Sequence, residues 1–317
     1  MPGLDETVKV FSGSSNAPLF ESVCEKIGVK PGQVNLHRFS DGEIYAEIVE
    51  SVRGANVFVI QSTCPPVNEN LMELLIITDA LKRASASSIT AVMPYYGYSR
   101  QDRKVKPRGP ISAKLIADTI VNAGVKRVMT IDLHAGQIQG FFDVPVDHLY
   151  ASPVIIDYLN KKYDGQNAIV VSPDAGGMER ARFYADKMGL EIAMTTKRRT
   201  APNVADIDYI IGDVKDRHAI IIDDMVDTAG TATQAAEVLM KEGASSVSLC
   251  CTHGILSGPA IERINASRFE EVVITNTIAQ EEKVKKCDRL TVLCMAELIG
   301  ESIRRVAKGE SISPLFN

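Results

Sequence analysis

An α/β protein of two tandem domains, each a mostly parallel sheet flanked by helices, is the fold class this sequence predicts. Three observations carry that reading. Short β-branched runs alternate with helical stretches for most of the length. A chain of 317 residues is long enough for two domains that each bury a core. One strand–loop–helix–strand unit also recurs, in weak form, in both halves.

The strand-like runs lie at 57–61, 88–93, 127–131, 168–172, 218–222, 246–251 and 271–275. They are short and continuously apolar, as strands covered on both faces must be. The helical stretches at 71–84, 111–123, 178–187 and 231–241 carry apolar residues three and four apart. Alternation of the two means βαβ units, and in such sheets ligands bind beyond the carboxyl ends of the strands. All the motifs described below are expected there. The repeat pairs Val57-Phe-Val-Ile60 and the later Ala86-Ser-Ser-Ile with Ala219-Ile-Ile-Ile222 and Ala244-Ser-Ser-Val. A boundary near 149–153 follows, giving domains at 1–150 and 151–302, with the tail 303–317 returning to the first.

Composition excludes several function classes. The apolar share is 45% and the charged share 24%, ordinary for a globular protein. Residues 1–11 have neither a basic start nor an apolar run, so no signal peptide is expected. No apolar stretch approaches the ~18–20 residues of a membrane helix, and a cytoplasmic protein is expected. The six cysteines form no C-x-x-C pair, so they read as reduced small hydrophobes rather than zinc ligands. Net charge is −5, yet Arg100, Arg103, Lys104, Lys106 and Arg108 are bunched and Lys197, Arg198 and Arg199 are consecutive. Two short basic clusters on an acidic chain suit a small polyanion better than nucleic acid. Read alone, each is equally a solvated face.

Chemistry concentrates first at Ile220-Ile-Ile-Asp223-Asp224-Met-Val-Asp227-Thr228-Ala229-Gly230-Thr231. A buried strand ends in two acids, and a loop of small and hydroxyl residues opens a helix. Backbone N–H groups from Asp227 to Thr231 would face an anion, aided by the helix dipole, and Gly230 permits close approach. The acid pair suits vicinal sugar hydroxyls and Mg²⁺. The bland alternative is a polar strand-to-helix turn with Thr231 or Asp227 as N-cap. A second signal is Asp132-Leu-His134-Ala-Gly-Gln-Ile-Gln139-Gly-Phe-Phe-Asp-Val-Pro-Val-Asp147, where an imidazole sits among acids just after a strand. Asp-x-His spacing puts both side chains on one side of an extended chain, where they could hold a hard cation.

The first of these strings resembles the phosphoribosyl-diphosphate loop of type I phosphoribosyltransferases, and the second resembles the signature of ribose-phosphate diphosphokinases. The resemblance spreads over nearly the full length. Arg38-Phe39-Ser-Asp41-Gly42-Glu43-Ile44 resembles the family segment that contacts adenine and its ribose. Tyr98-Ser-Arg100-Gln101-Asp-Arg-Lys104 resembles the loop that holds ATP. Ser172-Pro-Asp174-Ala-Gly-Gly177 resembles a metal-contacting turn, and Lys197-Arg198-Arg199 the start of the flexible catalytic loop.

The resemblance implies two phosphoribosyltransferase-like domains and transfer of the diphosphate of ATP to the C1 hydroxyl of ribose 5-phosphate. Phe39, Asp41, Gly42, Glu43, Arg100 and Gln101 would bind ATP. Asp223, Asp224, Asp227, Thr228, Ala229, Gly230 and Thr231 would bind ribose 5-phosphate. Mg²⁺ would be held by Asp132, His134 and Asp174, and Lys197 and Arg199 would be catalytic. The likeness is nearest to the phosphate-activated, ADP-inhibited class of homohexamers built from dimers, implying regulatory roles for Arg53, Gln139, Asp147, Ser311, Ser313 and Phe316. Departures at Gly136 and in the loop 104–109 bear on regulation rather than on the reaction. Two rivals are a non-catalytic regulatory homologue and a phosphoribosyltransferase. The first should lose Lys197 or the sugar loop, and the second has no use for the ATP motifs.

Overall fold

The buried β-branched runs form the interiors of two mostly parallel sheets in the computed structural model, which describes residues 7–163, 165, 167–198 and 207–316. The chain divides into two units, the first taking residues up to Tyr150, Thr277–Ala279 and the segment from Cys294 onward.

The first unit opens with β1 (Val8–Ser12) and α1 (Ala17–Ile27). Asn16 Oδ1 accepts the Leu19 N–H at 3.3 Å to start the helix, and Gly28 at φ 69° ends it in the left-handed region. There follow β2 (Val34–Arg38), β3 (Ile44–Ile48), β4 (Asn56–Ile60), α2 (Val67–Arg83), β5 (Ser88–Met93), α3 (Ser112–Ala123), β6 (Arg127–Ile131) and β7 (Val146–Leu149). Five of the strands pair in parallel in the order β1-β4-β5-β6-β7. Val57, Val59 and Ala91 on the sheet meet Leu74, Ile77 and Ile120 from α2 and α3 in one fully buried cluster. Parallel strands covered by crossover helices have no wet face, hence the unbroken apolar runs.

β2 and β3 stand apart as a two-stranded antiparallel sheet. The motif at 38–44 therefore sits on a hairpin turn, not beyond the carboxyl end of a parallel strand as its sequence context suggested. Asp41-Gly42 makes the reversal. Gly42 has φ 94°, its N–H donates to the Phe39 carbonyl at 2.9 Å, and the Glu43 N–H donates to Asp41 Oδ1 at 3.0 Å. The hairpin escaped the sequence reading because its alternating, half-exposed pattern holds no continuous apolar run.

The second unit contains α4 (Ser152–Tyr163), β8 (Ala168–Ser172), α5 (Met178–Met188), β9 (Glu191–Arg198), β10 (Ile207–Ile211), β11 (His218–Val226), α6 (Gly230–Lys241), β12 (Ser246–Gly254), α7 (Ala260–Ala266), β13 (Phe269–Thr275), α8 (Glu281–Val284) and β14 (Leu290–Leu293). Its sheet runs β10-β9-β8-β11-β12-β13-β14, parallel except where β10 pairs antiparallel with β9. β11 and β12 outrun their apolar segments. The ladder continues through Asp223 opposite Cys251 and Met225 opposite His253, because backbone hydrogen bonds do not require apolar side chains.

Apart from the short segment Thr277–Ala279, the first unit takes the chain back from Cys294, whereas 303 was expected from sequence. The cause is α9 (Ala296–Ala307), which lies against α1 so closely that a Cβ on Gly300 would stand 2.8 Å from Ile27 Cγ2. Among the described residues, no helix is long and apolar enough to cross a membrane. None of the six cysteines is in a disulfide; five are buried and Cys294 is exposed.

Candidate active site

In the second unit, the end of β11 brings two carboxylates together. Asp224 is 4% exposed, and Asp223 Oδ1 accepts its backbone N–H at 2.9 Å. Arg180, in the first turn of α5, places Nη1 3.5 Å from Oδ1 of both acids. That single cation does not offset the crowding. Burial, then the neighbouring charge of Asp224, push the Asp223 carboxyl up to about 8. An acid pair in this state does not stay doubly charged at neutral pH unless a further cation joins it.

Beyond the strand the chain turns into α6. Ala229 takes the left-handed conformation, φ 59°, and serves as N-cap without any side-chain cap bond. Neither Thr231 nor Asp227 caps the helix, so the bland alternative for this loop does not describe it. Asp227 instead receives a hydrogen bond from Ser257 Oγ, and its carbonyl accepts the Ser257 N–H at 3.0 Å. Arg263 Nη1 donates to the Thr228 carbonyl at 2.9 Å and faces Gly230, where a Cβ would stand 3.2 Å from it. The first-turn N–H groups, the helix dipole and an arginine thus converge on residues 227–231.

Two further segments of this unit reach the same helix. Pro173, Thr195, Thr196, Thr231 and Gln234 line one small cavity. The turn 172–177 is held by Gly177 N–H donating to Asp174 Oδ1 at 3.0 Å and by Thr195 Oγ1 donating to the Pro173 carbonyl at 2.8 Å. Asp174 itself is exposed. Lys197 follows Thr196 on β9, opposite Asp208 of β10 in the ladder. Arg199 lies outside the described residues.

In the first unit, Asp132 follows β6 with φ 38°, so the Asp-x-His segment is not the extended chain its spacing suggested. The segment is pinned from β7 instead: Leu133 N–H donates to His148 Nε2 at 3.0 Å and Asp132 N–H to the Leu149 carbonyl at 3.0 Å. His134 is exposed and leads into a 3₁₀ turn at Gly136–Phe141. From that turn Gln137 Nε2 donates to Asp102 Oδ2 at 3.0 Å, tying the segment to the loop of Arg100 and Gln101. Gln101 Oε1 accepts from Ser112 Oγ at 2.6 Å, and Arg100 is exposed. Phe39 is 49% exposed on the hairpin, its ring 5.4 Å from His37 and 5.9 Å from Tyr45. Asp41, Gly42 and Glu43 are exposed beside it.

The residues read as regulatory also lie in this unit. Arg53 and Gln139 are exposed, while Asp147 is held by Arg127 Nη1 at 2.9 Å to both carboxylate oxygens. Ser311 Oγ accepts the Ser313 N–H at 3.2 Å, and Phe316 packs edge-on to Tyr150 at 5.5 Å.

Asp132 and His134 belong to one unit and Asp174 to the other. Among the described residues, no three His, Cys, Asp or Glu side chains form a group able to hold a metal. Carboxylates placed singly fit Mg²⁺, which keeps its waters and binds through one or two carboxylates and substrate phosphates rather than in a protein cage. Sequence reasoning missed Arg180, Ser257 and Arg263. Nothing local marks Ser257 and Arg263, whereas Arg180 stands one helical turn after the 172–177 motif.

Residues 8–124 match the N-terminal domain of ribose phosphate pyrophosphokinase, and residues 201–317 match a phosphoribosyl synthetase-associated domain. The chain is 54% identical to the ribose-phosphate pyrophosphokinase of Caldanaerobacter subterraneus subsp. tengcongensis over 98% of both chains. It is 52% identical to that of Bacillus caldolyticus over 100% of both. The crystal structure of phosphoribosylpyrophosphate synthetase from Mycobacterium smegmatis superposes with a TM-score of 0.91 at 41% identity, covering 95% of this chain and 99% of that one.

Proposed function

The chain belongs to the ribose-phosphate pyrophosphokinases, and from that premise we propose how its residues divide the reaction. It is an enzyme of that type, moving the diphosphate of ATP onto the C1 hydroxyl of ribose 5-phosphate with AMP as the other product. The observation that carries the assignment of the sugar site is the acid pair beside a helix start whose N–H groups no side chain caps. The N–H groups of residues 227–231 grip the 5-phosphate, and Asp223 and Asp224 orient the ribose hydroxyls.

ATP lies on Arg100, Gln101 and His134, with Phe39, Asp41, Gly42 and Glu43 holding its adenosine. Mg²⁺ would be held by Asp132 and His134 in the first unit and by Asp174 in the second, each together with substrate phosphates, and would supply charge neutralisation. The C1 hydroxyl attacks the β-phosphorus in line. Positioning dominates such transfers. Lys197 and Arg199 neutralise charge that builds on the transferred group. Phosphate activation and ADP inhibition act through Arg53, Gln139, Asp147, Ser311, Ser313 and Phe316, in a cytoplasmic homohexamer of dimers.

Incubation with ATP, Mg²⁺ and ribose 5-phosphate should release AMP in step with consumption of the sugar phosphate. No AMP here, but release of inorganic diphosphate from added phosphoribosyl diphosphate and a nucleobase, would instead mark a phosphoribosyltransferase, and no turnover in either mixture a non-catalytic homologue.

A further inference from the structure

The hairpin β2–β3 shares no ladder with the five-stranded sheet of its own unit. Backbone ties it to β1 only just before β2, where Gly32 N–H donates to the Val10 carbonyl at 2.8 Å, so the far end with the turn is placed by side chains. Val34, Ala46 and Ile48 pack one face onto the core. Apolar packing of this kind fixes depth better than it fixes where the turn points. The turn itself is fastened at Arg38, the last residue of β2. Arg38 Nη2 lies 2.7 Å from Glu69 Oε2 and 3.6 Å from Glu73 Oε1, both on α2.

Glu73 is an unusual partner, since its side chain is only 4% exposed and such carboxylates are costly unless their lone pairs are used. Here they are used. Ser14 N–H donates to Oε2 at 2.9 Å, Ser14 Oγ lies 2.8 Å from both oxygens, and Gln61 Nε2 donates to Oε2 at 2.9 Å. Gln61 is itself fully buried, and its Oε1 accepts from Ser15 Oγ at 2.8 Å. One buried carboxylate thus joins the loop after β1, the carboxyl end of β4, helix α2 and the hairpin. Three of its donors are neutral, so Arg38 is the cation that balances it.

We propose that Glu69 and Glu73 are positioning residues for the nucleotide, acting through Arg38 on the turn that carries Phe39, Asp41 and Glu43. This rests on the assignment of that turn to ATP. The paired acids hold the guanidinium beneath the turn, while His37 and Tyr45 contact the Phe39 ring on the other face. An adenine surface that is half exposed depends on such fastening, because a loose ring must be ordered anew at each binding event. Neither carboxylate touches the reacting atoms, so their loss acts on binding rather than on the chemical step.

Steady-state kinetics of Arg38→Met, Glu69→Gln and the double variant test this. The Glu69 side chain is 51% exposed, so Glu69→Gln keeps the core intact, whereas Arg38→Met leaves the buried Glu73 without its cation and its melting temperature is measured alongside. Arg38→Met should raise KM for ATP about tenfold, with kcat within about twofold and KM for ribose 5-phosphate unchanged. The double variant should be no worse than Arg38→Met alone, as expected for residues acting through one link. Glu73→Gln, if it folds, should match Arg38→Met. Additive effects, or an unchanged KM for ATP in a background where Phe39→Ala raises it, would overturn the proposal. If Phe39→Ala leaves KM for ATP unchanged, the assignment of the turn fails, and this inference fails with it.

Discussion

The raised carboxyl of Asp223 predicts that the proposed sugar site is pH-dependent, and the size of the effect can be worked out. With the group at about 8, held there by burial and by Asp224, the metal-free protein carries Asp223 protonated at neutral pH. About a tenth is ionised at pH 7 and about nine-tenths at pH 9. If ribose 5-phosphate binds with Asp223 ionised, as hydroxyl recognition by an acceptor pair requires, its affinity should rise about tenfold from pH 7 to pH 9. The phosphate of the ligand does not interfere, since its second ionisation near ~6 is complete below this window. Calorimetry on metal-free protein should show the rise, with proton release that is largest at pH 7. Asp223→Asn should bind weakly with a flat profile. Stability moves in the opposite sense. The folded form holds a proton that the unfolded chain loses near 3.8, so this group's contribution falls as pH rises from 3.8 to about 8. Asp223→Asn should therefore melt higher than wild type at pH 8. An affinity constant between pH 7 and 9, or an asparagine variant with the wild-type slope, would refute the reasoning.

Other outcomes can be stated briefly. Glu301, hydrogen-bonded by Arg304 at 2.6 Å and Arg305 at 2.7 Å, is held down to about 2 by those bonds, Arg304 foremost. Its contribution is present above 4.5 and lost as pH falls through about 2, and Glu301→Gln should cost about 1 kcal/mol at pH 7 by denaturant unfolding, after discounting for solvent screening. Lys197→Ala should lower kcat by ~2–4 kcal/mol of barrier while KM changes little, read by steady-state kinetics. Asp227→Ala should weaken ribose 5-phosphate binding and spare ATP, each titrated separately. Refolding Lys197→Ala together with Phe39→Ala/Glu43→Ala should return about a quarter of wild-type activity if each site draws on two chains.

Central strands were legible because burial on both faces leaves a continuous apolar run. β5, β6 and β8 keep the bounds read from sequence, at Ser88–Met93, Arg127–Ile131 and Ala168–Ser172. The strand end and helix start at 223–231 were legible because two acids closing an apolar run and a loop of small residues before a helix form a local pattern. The family was legible for the same reason, repeated in several loops.

Tertiary structure decided what depends on partners far along the chain. β2 and β3 alternate like any half-exposed ribbon, and while Asp41-Gly42 makes their turn locally, only the pairing of Arg38 with Glu69 on α2 fastens it. The bend at Asp132 is set by His148 and the Leu149 carbonyl, not by its neighbours in sequence. Arg263 meets Thr228, and Ser257 meets Asp227, across spans of chain that no periodicity records. α9 joins the first unit through Gly300 and Ile27, a match of shapes between helices at opposite ends of the sequence. Local conformational preference is written residue by residue and can be read there. Which side chain balances a buried charge such as Glu73 depends on the folded path of the whole chain.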